Sequence, residues 1–244
     1  MLKYFKKIPV IGKRLKYLKP NIADILNDIF VSENNFTIID VGANIGQSID
    51  LFRKIFRNPL IYSFEPTPDI FQILEKKYKN LDNVFLYELA LGEKNCYKQL
   101  ITFPYSPTNS LLEANLNLYK KFDDGLFMTL SKNKKINVKV IKFDDFYKKN
   151  LNNKIIDIFK IDTQGFEYSV INGGINSIRE KTKLLYFEIQ YLPFYKNATP
   201  FYKLFEYLYK NNFYFYSWIP TSKKKYQILE SDVIFFNKKY FDMA

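Results

Sequence analysis

The feature that most constrains the fold is an apolar run that ends in closely spaced glycines, Thr37-Ile-Ile-Asp-Val-Gly-Ala-Asn-Ile-Gly46. Residues 37–41 have the β-branched content of a strand that is covered on both faces. Gly42 and Gly46 permit a tight turn whose backbone can approach a ligand closely. Helical spacing of apolar residues resumes at once over residues 49–56. Strand, glycine turn and helix predict the first unit of an open α/β sheet, in which ligands bind beyond the carboxyl ends of the strands.

The glycine spacing excludes two common nucleotide-binding motifs. A dinucleotide fingerprint has glycines at its first, third and sixth positions, whereas the third position here is Asn44 and the fifth is Gly46. A P-loop is excluded because no Gly-Lys-Ser/Thr follows. A second apolar strand, residues 60–64, ends at Glu65, whose carboxylate can accept hydrogen bonds from both ribose hydroxyls. These residues predict a site for adenosine without a pyrophosphate, with an ordinary βα turn and a solvated strand-end carboxylate as the alternative.

A third motif follows a later strand. Residues 155–161 are predicted to form a buried strand that runs into Asp162-Thr-Gln-Gly-Phe-Glu167 and then into a helix. In chain order the motifs are Asp-Val-Gly-Ala-Asn-Ile-Gly at 40–46, Phe-Glu-Pro-Thr-Pro at 64–68, Leu-Ala-Leu-Gly at 89–92 and Lys-Ile-Asp-Thr-Gln-Gly-Phe-Glu at 160–167. With these four motifs together, roughly residues 35–240 of the chain resemble the FkbM-type family of S-adenosylmethionine-dependent methyltransferases.

The resemblance implies an α/β, Rossmann-like class I methyltransferase fold with a mostly parallel seven-stranded sheet. It implies S-adenosylmethionine as methyl donor and a hydroxyl of a sugar, glycan or small metabolite as acceptor. The residues expected to bind the cofactor are Asp40, Gly42, Ala43, Asn44, Gly46, Glu65, Glu88 and Ala90. The methyltransferase domain is expected to cover residues 35–244, after a basic N-terminal arm of residues 1–34.

Apolar patterning and turn residues predict the remaining elements. Further helices are predicted at residues 68–79 and 201–208. Further strands are predicted at residues 83–89, 97–103, 136–143 and 184–187, followed by a closing antiparallel pair at 213–218 and 232–236. Residues 104–135 are predicted to be an irregular insertion, and insertions of that length beside a ligand site usually carry specificity.

Composition limits the classes of function. The net charge of +12 suggests a polyanionic partner, but only four of the 37 basic residues are arginine, the residue that reads phosphate and guanine best. An RNA methyltransferase is therefore the less favoured alternative. A non-catalytic binding module is a second alternative, disfavoured because both glycines and Glu65 are present. One cysteine and no histidine give neither an internal disulfide nor a zinc site, which favours a cytoplasmic protein.

The first 19 residues are unusually basic. They carry seven Lys or Arg and no acidic residue, interleaved with apolar side chains. One interpretation is peripheral contact with anionic lipid at the inner membrane surface. Pro9 and Gly12 disfavour an unbroken helix, and the favoured interpretation is an arm that packs on the sheet domain or on a second subunit.

Without histidine, proton transfer must fall to carboxylate, lysine, tyrosine or water. Asp162 and Glu188 follow consecutive predicted strands, and Glu167 begins the next helix. Lys160 lies on the same strand face as Asp162. We predict that Asp162 or Glu188 is the general base and that Lys160 orients it; a structural charge network of Lys160, Asp162 and Glu167 is the alternative. A Mg²⁺ site at Asp162, Glu188 and Gln190 is conceivable in chemical terms but is not predicted.

Overall fold

The computed structural model describes residues 21–30 and 36–241. Its strands are β1 Thr37–Val41, β2 Leu60–Phe64, β3 Val84–Tyr87, β4 Ala90–Leu91, β5 Cys96–Thr102, β6 Lys134–Ile141, β7 Ile156–Ile161, β8 Thr182–Gln190, β9 Phe213–Lys224 and β10 Gln227–Asn237. Its α-helices are α1 Ile22–Ile29, α2 Gln47–Ile55, α3 Pro68–Tyr78, α4 Leu116–Phe122, α5 Asp124–Leu130, α6 Phe143–Asn150, α7 Glu167–Gly173, α8 Ile175–Lys181 and α9 Phe201–Lys210.

The main sheet has seven strands in the order β3-β2-β1-β7-β8-β10-β9. The first five strands of this order run parallel, and β10 pairs antiparallel with both β8 and β9. Every residue of β1 and β7 is buried, as expected for central parallel strands covered by helices on both faces. The structure confirms the predicted Rossmann-like fold, with a mostly parallel seven-stranded sheet and a C-terminal antiparallel hairpin.

Two apolar clusters cover the two faces of this sheet. Because side chains alternate along a strand, neighbouring residues such as Ile38 and Ile39 enter different clusters. The cluster that contains Ile38 includes buried residues of α1, α2 and α3, and the other includes residues of α6, α7, α8 and α9. This layered packing leaves the carboxyl ends of β1, β2 and β7 at one edge of the domain, where the predicted motifs lie.

Two sequence predictions in the middle of the chain are wrong. The predicted strand 83–89 ends at Tyr87, and the chain then enters β4 of a second sheet, ordered β4-β6-β5. The predicted irregular insertion contains α4 and α5, because Asn115 and Asp123 cap these helices by accepting hydrogen bonds from backbone N–H groups. Buried Tyr119 and Leu130 pack these helices into a third apolar cluster.

The predicted N-terminal arm is described only in part. Its basic segment, residues 1–19, lies outside the described residues. Asn21 caps α1 by accepting a hydrogen bond from the N–H of Asp24 at 2.9 Å. Leu26 of this helix is fully buried in the same cluster as Ile38. Within residues 21–30 and 36–241, every helix is too short or too polar to cross a bilayer.

Candidate active site

A cavity of about 310 Å³ lies at the carboxyl ends of β1, β2 and β7. Most of the predicted cofactor-binding residues and two predicted catalytic residues contribute to its wall. These residues are Gly42, Ala43, Asn44, Glu65, Ala90, Lys160 and Asp162. Parallel sheets bind their ligands at this edge, so three motifs that are distant in sequence meet in one site.

Gly42 lets β1 and β7 approach each other closely at the floor of the cavity. Its φ of 78° is left-handed, and a Cβ atom at this position would overlap the carbonyl oxygen of Asp162. The N–H of Asp162 donates to the carbonyl of Val41 at 2.9 Å, which holds the two strand ends together. Gly42 therefore joins the predicted cofactor motif to the predicted catalytic motif.

Gly46 serves the packing of α2 rather than the cavity wall. Its φ is 90°, and a Cβ atom would overlap the ring of Tyr78 in α3. The Tyr78 hydroxyl lies 2.8 Å from the carbonyl oxygen of Gly46 and 2.7 Å from Oδ1 of Asp50. The structure explains this glycine by close helix packing at the start of α2.

Glu65 is a buried carboxylate at the end of β2. Its Oε2 accepts a hydrogen bond from the N–H of Asn44 at 2.9 Å, and its Oε1 accepts one from the N–H of Thr67 at 2.8 Å. Burial raises the pKa of the Glu65 carboxyl, and hydrogen bonds from Thr67 and Asn44 oppose that shift. Because each carboxylate oxygen has two lone pairs, both oxygens keep the capacity to accept a further hydrogen bond from a ligand.

Asp40 and Lys160 form a buried ion pair in which only Lys160 lines the cavity. Lys160 Nζ lies 3.2 Å from Oδ1 of Asp40 and donates to the carbonyl of Gly42 at 3.2 Å. The other Asp40 oxygen accepts from the hydroxyls of Ser48 and Ser63. Burial lowers the pKa of Lys160, but the carboxylates of Asp40 and Asp162 outweigh it, so the pKa is raised overall and the ammonium group stays charged. Asp40 is fully buried and contacts Lys160, not the cavity.

Asp162 presents its carboxylate to the cavity. The side chain is 44% exposed, and its Oδ2 lies 3.9 Å from Lys160 Nζ. Its Oδ1 accepts a hydrogen bond from Nε2 of Gln164 at 3.0 Å, and the same amide donates to Oε2 of Glu188 at 3.1 Å. Gln164 therefore bridges the two carboxylates that the sequence proposed as bases.

Sequence reasoning missed Gln164. Its φ of 55° places it in the left-handed region, which is sparsely populated for residues with side chains. The hydroxyl of Tyr195 lies 3.2 Å from its Oε1, and Ser110 donates to its carbonyl at 2.8 Å. The only sequence signal for the bridging role of Gln164 is its position, as a polar residue between Asp162 and the glycine of the same motif. Its hydrogen-bond partners Glu188, Tyr195 and Ser110 lie far along the chain.

Glu188 belongs to a group of acidic side chains from three strands. It lies within β8, two residues before the end of that strand, and not beyond the strand as predicted. The sheet register places it opposite Asp232 of β10. Burial raises the pKa of Glu188 well above its usual range, and the nearby charges of Asp162, Glu230 and Asp232 reinforce the shift. This shift disfavours the charged form that a general base needs, which favours Asp162 over Glu188 as the base.

Asp232 was not identified from the sequence. Its Oδ2 accepts a hydrogen bond from the hydroxyl of Tyr186 at 2.7 Å. Burial raises the pKa of Asp232 to about 6, although the Tyr186 hydrogen bond opposes the shift. Because β10 is antiparallel to β8, this aspartate reaches the active-site edge from a strand some 70 residues after Asp162.

Glu167 closes the turn that carries Asp162 and Gln164. Its Oε1 accepts hydrogen bonds from the N–H of Thr163 at 3.0 Å, the hydroxyl of Thr163 at 3.0 Å and the N–H of Gly165 at 3.1 Å. Burial raises the pKa of Glu167 to about 7. Glu167 lies outside the wall of the cofactor cavity. In the predicted charge network, Lys160 and Asp162 form an ion pair, and Glu167 is connected to them through the backbone of the turn.

The two cofactor residues predicted after β3, Glu88 and Ala90, differ in exposure. Glu88 is exposed and lies outside the cavity wall, because the chain leaves β3 after Tyr87 and turns there. Ala90 is 7% exposed and lines the cavity with Leu89 and Leu91, an apolar surface suited to a planar ring.

The residues of the conceivable Mg²⁺ site have other partners: Glu188 accepts from Gln164, and Gln190 donates to Glu230 at 3.3 Å. Within residues 21–30 and 36–241, no three His, Cys, Asp or Glu side chains are grouped to hold a metal ion.

Comparison with known proteins agrees with this layout. Residues 40–215 match the family profile described as the Methyltransferase FkbM domain. Methyltransferase 1 of Beauveria bassiana (strain ARSEF 2860) is 27% identical over 142 residues, which cover 56% of this chain and 57% of the relative. The 2-O-methyltransferase NoeI of Sinorhizobium fredii (strain NBRC 101917 / NGR234) is 24% identical over 173 residues, which cover 67% of each chain.

A solved structure shows the same fold. The crystal structure of a methyltransferase FkbM from Methylobacillus flagellatus KT superposes with a TM-score of 0.53 and 16% sequence identity. The match covers 83% of this chain and 44% of that chain. The chain thus spans less than two thirds of the length of both the Beauveria relative and the Methylobacillus protein.

Proposed function

The chain belongs to the FkbM methyltransferase family, and on that premise we propose that it transfers a methyl group from S-adenosylmethionine to a hydroxyl oxygen. The observation that carries the proposal is the cavity in which Gly42, Glu65 and Asp162 meet. The acceptor we propose is a hydroxyl of a sugar, glycan or small metabolite. Transfer to oxygen is supported by NoeI, whose name states 2-O-methylation.

The proposed cofactor contacts follow from the donors and acceptors of the cavity. Glu65 would accept hydrogen bonds from the ribose hydroxyls, because its oxygens are fixed by Asn44 and Thr67 and retain free lone pairs. The apolar surface of Ala90 and Leu91 would pack against the adenine ring. When bound, the cofactor supplies an electrophilic methyl group on a sulfonium.

Asp162 is the proposed general base. It would remove the proton of the acceptor hydroxyl as that oxygen bonds to the methyl carbon, and the electron pair of the broken carbon–sulfur bond would stay on sulfur. Lys160, charged and held by Asp40, would orient the Asp162 carboxylate from 3.9 Å. Gln164 would fix the other oxygen of Asp162. Positioning of the hydroxyl against the methyl group would supply much of the acceleration.

The proposal is tested with the full chain. Isothermal titration calorimetry measures binding of S-adenosylmethionine and S-adenosylhomocysteine, and a radiolabelled methyl group reports transfer to pools of sugars, glycans and RNA. We expect binding of both cofactor forms and incorporation into a sugar or metabolite fraction. Generic RNA should bind weakly at physiological salt, because the basic surface contains few arginines. Salt-resistant binding of a structured RNA with methyl incorporation would contradict the choice of acceptor.

Two further proposals concern the location of the protein and its contact with lipid. We propose a cytoplasmic location for the protein. Contact of residues 1–19 with anionic lipid stays a prediction of their basic and apolar pattern.

A further inference from the structure

A second cavity, of about 270 Å³, lies beside the start of α9. It shares a wall with the cofactor cavity, namely the turn of residues 163–167. Thr163 and Gln164 line the cofactor cavity, whereas Gly165 and Glu167 line the second one. The turn that follows Asp162 therefore contributes residues to both cavities.

The wall of the second cavity is largely aromatic and aliphatic. Tyr191, Phe201, Tyr202 and Leu204 all contribute to it. The Phe201 ring packs edge to face against Tyr191 at a centroid distance of 5.1 Å and against Tyr202 at 5.9 Å. Aromatic faces carry negative partial charge and attract the C–H bonds of a ligand ring.

Side chains with hydrogen-bond acceptors interrupt this apolar wall, among them Glu167, Glu188 and Gln190. Glu167 is 7% exposed, and the hydrogen bonds that it accepts from the turn are all on Oε1 rather than Oε2. Gln190 also lines the cavity, and its buried Oε1 has no hydrogen-bond partner among the described residues. A buried acceptor without a donor costs free energy, so a ligand that brings donors would be favoured here.

We propose that the second cavity is an acceptor subsite that binds one pyranose ring of a glycan. This inference rests on the proposed function and names the part of the acceptor that the protein holds. A pyranose has C–H faces for the aromatic rings and hydroxyl donors at its edge for Glu167 and Gln190. The cavity volume is near the lower end of the range of about 300–1,000 Å³ for drug-sized ligands, which suits a single ring. Glu188 lines this cavity and accepts from the same Gln164 amide as Asp162, which links the subsite to the proposed base.

The test uses saturation-transfer NMR on the full chain, with methyl β-D-glucopyranoside and methyl β-D-galactopyranoside as pyranose probes and p-cresol as a flat aromatic probe. Tyr202→Ala removes an aromatic wall, and Tyr209→Ala is its matched control. Both tyrosines lie on α9 with 59% and 62% exposure, and only Tyr202 lines the cavity. Thr199→Trp fills the cavity from a half-buried loop position.

We expect a pyranoside to bind to the wild type. Tyr202→Ala should weaken that binding about three- to tenfold, from the loss of one aromatic contact, while Tyr209→Ala leaves it unchanged. Thr199→Trp should abolish it. If Thr199→Trp does not fold, the comparison of Tyr202→Ala with Tyr209→Ala decides the question.

Three results would overturn the subsite. They are no pyranoside signal in the wild type, equal effects of the two tyrosine variants, and p-cresol binding in place of the pyranosides. Calorimetry with S-adenosylmethionine on the same preparations keeps the two proposals apart. Cofactor binding without pyranoside binding rejects the subsite alone, whereas pyranoside binding without cofactor binding rejects the methyltransferase proposal.

Discussion

The two halves of the candidate active site are built in different ways. At the ends of β1 and β2, backbone N–H groups fix the functional carboxylate: Glu65 accepts from Asn44 and Thr67. At the ends of β7 and β8, side chains fix one another: Gln164 bridges Asp162 and Glu188. The first half is organised mainly by the backbone of two short turns. The second depends on residues that the sheet brings together.

This difference has an electrostatic consequence. Burial raises the pKa of Glu65, and the hydrogen bonds from Thr67 and Asn44 oppose that shift. Glu188 is buried among other acidic groups, so its pKa is raised well above the usual range. A rigid polar turn suits cofactor binding, and a group of interacting carboxyls suits proton transfer. The predictions below test this division, beginning with the largest expected effect.

Asp162→Asn should lower turnover by about 10²–10⁴ with little change in cofactor affinity, because the amide keeps the size of the carboxylate but cannot act as the base. Glu188→Gln should be milder, since the raised pKa of Glu188 disfavours the charged form that a base needs. Single-turnover methyl transfer, calorimetry and melting temperature are measured on the same preparations. A stable Asp162→Asn protein with normal turnover would refute the catalytic assignment.

Gly42→Ala should distort both halves of the candidate active site. The added Cβ atom would overlap the Asp162 carbonyl, and the φ of 78° is left-handed and therefore strained for alanine. We expect a loss of at least about 3 kcal/mol in the free energy of unfolding, measured by urea titration. Gly125→Ala is the control: it lies in α5, and its nearest contact, Oδ1 of Asp123, is 3.4 Å from the added Cβ. That variant should be neutral or more stable by up to about 1 kcal/mol. Equal effects of the two substitutions would contradict the close approach of β1 and β7.

Glu65→Ala should weaken binding of S-adenosylmethionine and S-adenosylhomocysteine by about 1.5–3 kcal/mol, roughly ten- to a hundredfold in the dissociation constant, through loss of a charged acceptor. Glu88→Ala is a suitable control, because a cofactor contact was predicted for Glu88 but the residue is exposed outside the cavity. Calorimetry on both variants checks the difference. Unchanged affinity in Glu65→Ala would remove the ribose contact from the proposal.

The stability of the protein should fall as pH rises toward neutrality, in part through Glu167. Its pKa is raised to about 7 in the folded protein from an ordinary value near 4.5, so the folded state keeps a proton that the unfolded chain has lost. This contribution is complete below about pH 4.5 and is lost as pH rises through about 7. We expect a loss of about 1–3 kcal/mol relative to Glu167→Gln between pH 5 and pH 8.

Melting temperatures of the wild type and Glu167→Gln across that pH range measure the effect. Glu75→Gln, at an exposed position on α3, is the control and should follow the wild type. A difference in melting temperature between wild type and Glu167→Gln that is the same at all pH values would show that burial does not shift the pKa of the Glu167 carboxyl.

Much of the fold could be predicted because its signals are local. The strand at 37–41, the strand at 60–64 and the helix from Pro68 follow from apolar runs and turn residues, and all three are confirmed. The insertion was misread because α4 and α5 have only seven residues each, too short for a clear helical period. Their polar caps, Asn115 and Asp123, were the available signal.

What the sequence determined by itself is the framework of the proposed cofactor half: two buried strands, a glycine turn and a carboxylate after the second strand, all signalled by local apolar runs and turn residues. What only the tertiary structure decided is the catalytic half. The bridge from Gln164 to Glu188 and the pairing of Glu188 with Asp232 depend on sheet register. The raised pKa of Glu188 depends on burial among those neighbours. Burial and charge at such a site are properties of packed strands, and no local pattern along the chain encodes them.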